Sequence, residues 1–226
     1  HGLTRWAGRL DGLPNNRLIA TCRTMNVDNR RTWLGWSSLK EVGLVPLNPR
    51  QQREIVRRFF GGKTELAGRL EQLLNVNYAL RHACTTPLLM SFACHLHLEG
   101  KVNESTTIGQ LYADVRLGLV SGRWRGVKPS WANSEALEED VLNSLRDAAW
   151  VLFKKNPTSN RFTLDEWKKA IGPGQTITPV QLLDDLCRVG LLARAGVDEK
   201  RQRCWSFVHR TLLEFQAALA LSEMPK

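Results

Sequence analysis

Cys204 to Leu221 reads CWSFVHRTLLEFQAALAL, and its first five residues alternate and carry aromatic and β-branched side chains. That is the pattern of a short strand. From Arg210 onward the apolar residues Leu212, Leu213, Phe215, Ala217, Leu219 and Ala220 fall at helical spacing. A strand therefore hands over to a helix at His209. The first N–H groups of a helix have no intrahelical acceptor and carry a partial positive charge, so a side chain at this junction stands beside a natural anion site. The position equally suits a histidine that only hydrogen-bonds the junction.

Working back from this stretch, Leu191 to Arg194 reads as a second strand, separated from the first by a charged loop, Ala195 to Arg203. Ahead of them Thr178 and Pro179 open a helix that runs to Val189 and stops at Gly190. Thr163 and Glu166 form a capping signature for a helix through Ile171. Leu137, Val141, Leu145, Ala148 and Leu152 lie on one stripe of a helix to Lys155. Helix, helix, helix, strand, loop, strand is the order of a winged helix, expected over residues 126–226 behind a linker, Arg125 to Asn133.

Residues 49–125 read as a helical domain. Asn48-Pro49 starts a helix to Phe60, with arginines at 50, 53, 57 and 58 opposite an apolar side. Thr64 to Asn75 and Asn77 to Cys84 follow, then an intensely apolar helix from Leu88 to Leu98 behind Pro87, and a long helix from Thr106 to Trp124. Gly61-Gly62-Lys63-Thr64 ends like a phosphate-binding loop but has Arg57 where that motif needs glycine, and a helix where it needs a strand. It is a helix terminator. In residues 1–48, Arg17 to Thr24 reads as a buried strand of a parallel sheet with Arg23 at its carboxyl end, where α/β proteins place ligands, and Glu41 to Leu47 as a short strand closing that sheet.

Composition narrows the function classes. The chain has 226 residues, 42% of them apolar, enough for a substantial core. The longest uncharged run, Ala83 to Leu98, falls short of the roughly 20 apolar residues a membrane span needs. Five cysteines without a Cys-x-x-Cys pair point to a reducing cytosol. Cys94 and His97 are one turn apart, but nothing nearby completes a zinc set. His1 stands where an initiator methionine would be, so a piece of a longer protein is expected. The net charge is +10, and residues 1–125 hold 18 Lys and Arg against 9 Asp and Glu, so the basic excess lies away from the winged-helix segment.

Three motifs in order, Thr21-Cys22-Arg23, Thr86-Pro87-Leu88-Leu89 and Phe207-Val208-His209-Arg210 with Glu214 and Phe215, resemble those of NACHT-type signalling ATPases of the STAND class. The resemblance implies a mainly α chain: the end of an α/β nucleotide-binding domain, a helical domain and a C-terminal winged helix. It implies ADP or ATP as ligand, with Arg23 on the terminal phosphate, Pro87 against the base and His209 on an inner phosphate. Magnesium would be held by a part of the protein outside these residues, since neither a P-loop nor an acidic magnesium-binding strand occurs among them, and this segment alone is not expected to catalyse. The resemblance further implies a cytoplasmic immune or anti-phage switch with an N-terminal effector, a C-terminal sensor and assembly into a homo-oligomer on activation. The competing reading is a winged-helix DNA-binding transcriptional regulator. Against it, the third helix of the winged segment is expected to expose Asp184 and Asp185 beside a single base, Arg188, which opposes phosphate binding. A free-standing hydrolase lacks a nucleophile elbow or a His-Glu-x-x-His helix.

Overall fold

Side-chain caps start most of the helices, and the sequence writes them plainly. A computed structural model of the chain describes residues 45–223. In it α1 (Pro49–Phe60) begins with a reciprocal capping box between Asn48 and Gln51. The helices α2 (Thr64–Val76), α3 (Tyr78–Ala83), α4 (Pro87–Leu98) and α5 (Ile108–Val120) follow. Asn77, Thr86 and Thr107 each accept the backbone N–H three residues ahead, at the starts of α3, α4 and α5. Each such cap satisfies an otherwise orphaned donor and contributes about 1 kcal/mol.

The remaining elements are α6 (Glu135–Lys155), β1 (Arg161–Thr163), α7 (Leu164–Ile171), α8 (Pro179–Arg188), β2 (Leu192–Val197), β3 (Arg203–Phe207) and α9 (Arg210–Ser222). The chain is thus mainly helical, with one small antiparallel sheet among the described residues, in the order β1-β3-β2. Register pairs Phe162 with Trp205 and Ala193 with Ser206. Phe207 is buried at the end of β3 and meets Phe162 edge-on at 6.2 Å, while Phe162 stacks on the buried Trp167.

Contacts divide the chain at Pro46, and all that follows concerns the unit beginning at Leu47. One hydrophobic core in that unit takes residues from Val56 to Leu213. Helix α5 lies against α3, α4 and α9, and α9 lies along α6. Behind α5, Gly122 turns left-handed and a short 3-10 turn, Arg123–Arg125, throws Trp124 back onto the helix. A β-carbon on Gly118 would stand 2.4 Å from the Trp124 ring, so only glycine admits the indole there. Trp124 Nε1 donates to Glu99 at 2.6 Å, and its ring stacks on His95.

Three expectations change. The helix expected to Trp124 ends at Val120, because Gly122 breaks it and the 3-10 turn follows. The sheet gains β1, three residues long, whose stability comes from pairing with Cys204–Ser206 rather than from its own sequence. Of the strand expected over Glu41–Leu47, residues Val45 to Leu47 carry no ladder; the Leu47 N–H instead donates to Thr85 O at 2.7 Å. The rest of that strand, and the one carrying Arg23, lie outside the described residues.

Asp185 also departs from expectation. It is fully buried, not exposed, and accepts from the Ser130 backbone N–H at 3.0 Å, from the Ser130 hydroxyl, from Gln181 at 3.1 Å and from Arg188 at 2.9 Å. Burial pushes its carboxyl up, but the hydrogen bonds from Ser130, Gln181 and Arg188 outweigh burial and hold it below its ordinary value of 3.8. Its stabilising contribution is therefore fully present above pH 3.8 and lost as pH falls through the lower folded-state value. Asp185→Asn is expected to lower the unfolding free energy by about 2 kcal/mol at neutral pH. It should also flatten the acid limb of the stability profile. Urea denaturation across acid pH checks both, and parallel acid limbs in the two proteins would remove Asp185 as a determinant.

Candidate functional site

The backbone at His209 is extended, with φ −140° and ψ 136°, and the residue is the N-cap of α9. Its Nδ1 accepts the Thr211 backbone N–H at 3.3 Å and lies 2.7 Å from the Thr211 hydroxyl oxygen. The junction therefore orients the histidine through Nδ1 against the first turn of α9.

Its neighbours in the motif fix that junction. Arg210 donates to Glu214 at 2.7 Å, one helical turn on, and to the Pro157 carbonyl at 2.7 Å in the loop between α6 and β1. Asn160 from the same loop donates to the Phe207 carbonyl at 2.9 Å. Phe215 stacks on Tyr112 of α5 with ring centroids 5.5 Å apart. Thus Phe207 anchors the strand in the core, Arg210 and Glu214 clip the helix start to a loop, and Phe215 ties α9 to α5. Sequence reasoning gave these residues no role of their own, although the four-residue spacing of Arg210 and Glu214 is the signal of a helical ion pair.

Pro87 is the first residue of α4, exposed, with Thr86 capping the helix behind it. Its carbonyl accepts the Ser91 hydroxyl at 3.0 Å. Pro87 and His209 each start a helix, α4 and α9, and both helices lie against α5. No hydrogen bond joins the two residues. Arg23, the third residue singled out from the sequence, lies outside the described residues.

Other reactive side chains are held for structure. Burial pushes the Cys84 and Cys94 thiols up to about 12, far from the thiolate a nucleophile needs. His97 Nε2 lies 3.1 Å from the Leu66 carbonyl, and burial lowers the pKa of its ring. His95 stacks on Trp124 and meets Phe59 edge-on, and burial lowers its pKa as well. Among the described residues no three His, Cys, Asp or Glu side chains converge as a metal set, and no helix is long and apolar enough to cross a membrane.

What this geometry defines is a mainly helical chain with a small antiparallel sheet whose central strand delivers a capping histidine. No protein-family model, curated protein or solved structure matches it.

The Tyr112 and Phe215 pair is expected to couple α5 to α9. In a double-mutant cycle built from Tyr112→Leu and Phe215→Leu, the coupling energy should be about 1 kcal/mol in thermal or urea unfolding. Strict additivity of the two substitutions would mean that the rings touch without holding the helices.

Proposed function

We propose that the chain is the nucleotide-switch portion of a NACHT-type STAND ATPase, binding ADP or ATP to control a closed-to-open transition. The observation that carries this reading is the place of His209, the N-cap residue of α9, whose Nδ1 lies within hydrogen-bond distance of Thr211 at the helix start. A phosphate oxygen is an acceptor that the first backbone N–H groups of such a helix start suit. The order of α6, α7 and α8 followed by β2, a loop and β3 is that of a winged helix, which supports the assignment of residues 126–226. An exposed proline at the start of α4 fits packing against a flat base.

In this reading Arg23 senses the terminal phosphate, Pro87 touches the base and His209 holds an inner phosphate. The nucleotide supplies the shared diphosphate, with magnesium held by a P-loop segment of the same protein. While His209 keeps its contact, the winged segment stays closed; when that contact is lost, the segment swings away and frees an effector domain to act or to assemble with further copies. Sensor and effector belong to other parts of the polypeptide, and the setting is cytoplasmic immune or anti-phage defence. This segment alone, without P-loop or acidic strand, is not a catalyst.

His209→Ala in the protein that carries the P-loop is expected to speed ADP release about tenfold, the loss of one charge-assisted hydrogen bond of about 1.4 kcal/mol. It should also raise effector output. Unchanged ADP occupancy and output would overturn the reading.

One observation favours the second reading, a winged-helix DNA-binding regulator. Asp185 points inward to Ser130, so α8 presents one carboxylate fewer to a phosphate backbone than its sequence suggests. Asp184 remains, within 3.5 Å of Arg194. A gel shift of the chain with duplex DNA across a salt series separates the two: the switch reading expects no retarded band, whereas a band weakening steeply with salt supports the regulator.

A further inference from the structure

The 3-10 turn that sends Trp124 onto Gly118 sends its next residue elsewhere. Arg125 lays its guanidinium over Gly190, at the end of α8. A β-carbon on residue 190 would stand 2.4 Å from Arg125 Nε and 2.6 Å from its Cζ, so the guanidinium lies close against the backbone there, and the φ of +84° at Gly190 favours glycine. The guanidinium is thus seated by the backbone of a segment 65 positions away in sequence. It borders an open cleft of about 510 Å³ that is also lined by Asp184, Cys187, Arg188, Arg194 and Val208.

The charge balance of this cleft is lopsided. Arg188 pairs with Asp185, whose carboxylate already accepts from Ser130 and Gln181. Arg194 reaches Asp184 only at 3.5 Å, with most of its side chain in solvent. Arg125 has no acidic partner among the described residues. Three guanidiniums therefore converge on a volume with one lining carboxylate, and one of the three is both seated and uncompensated.

We propose that this cleft is a binding site for the phosphoryl groups of a small ligand, such as a diphosphate, with Arg125 and Arg194 as its forked donors and Arg188 as a supporting charge. Guanidinium forks match tetrahedral phosphoryl oxygens two at a time, and several of them together select a multiply charged anion over a lone carboxylate. The concave form and the volume suit a small molecule. An extended nucleic-acid backbone would also have to run past Asp184 here, beside a β2–β3 loop in which Asp198 and Glu199 offset Lys200 and Arg201. The inference uses neither His209 nor Pro87, so it stands or falls apart from the switch reading.

Calorimetric titration of the 226-residue chain with inorganic pyrophosphate tests it. Saturable one-site binding is expected, weakened about tenfold or more, some 1.4 kcal/mol, in the doubly substituted Arg125→Gln, Arg194→Gln protein. Thermal unfolding should be unaltered in that protein, because neither side chain is buried. Arg125→Lys keeps the charge but not the fork and should fall between the two. Arg50→Gln and Arg53→Gln on α1 should leave binding as it is. No saturable binding, equal affinity in the doubly substituted protein, or displacement of pyrophosphate by duplex DNA at matched phosphate concentration would each overturn the proposal.

Discussion

A carboxylate with no access to water holds the linker against the C-terminal half of the described chain. Asp185 stands at 0% exposure and takes both the backbone N–H and the hydroxyl of Ser130, a residue 55 positions earlier. Desolvating a carboxylate costs several kcal/mol, and only a full set of donors recovers that cost. The set exists because Gln181 lies one helical turn before Asp185 and Arg188 one turn after, while the linker brings Ser130 across. Next to Ser130, Trp131 is fully buried and donates its indole N–H to the Val120 carbonyl at 3.0 Å. The two neighbours therefore pin the end of α5 to α8, and the seating of Arg125 on Gly190 depends on that same attachment.

The seam between α5 and α9 is of a different quality. Tyr112 and Phe215 stack there. Deeper along the same helices Arg116 reaches Gln216 only at 3.5 Å, and Arg116 Nε and Gln216 Nε2 have no partner among the described residues. Burial lowers the Arg116 pKa, and the nearby charge of Arg146 adds to that effect. An orphaned buried donor costs about 1–3 kcal/mol. The linker is thus fastened by saturated hydrogen bonding, whereas α9 is attached to α5 by rings and by polar groups left short of partners. A region that must move is drawn from the less stable contacts of a fold, and the switch reading places its movement in the segment that ends with α9.

Sequence legibility followed the range of the interactions involved. Helix starts are local, so Asn48, Pro87, Thr163 and Thr178 announced their helices from a few residues of context. The handover at His209 was legible because period-2 and helical patterns meet at one residue. Strand β1 was not, since three residues, Arg161–Thr163, acquire strand character only from a partner more than 40 positions on. The burial of Asp185 was hidden for the same reason: its spacing from Asp184 and Arg188 is that of an ordinary solvated helix face, and Ser130 is nowhere near in sequence. The arginine cleft had a single trace, the glycine at 190, which reads as a helix stop whether or not a guanidinium lies across it.

Helix α9 is the last described element, yet it lies along α6 and also against α5, whose residues precede it by about a hundred positions. A chain emerging from the ribosome presents α5 and α6 long before the strip that covers them exists. Until Leu212, Leu213 and Phe215 have left the exit tunnel, both helices keep an uncovered greasy groove, so neither can mature before α9 has emerged.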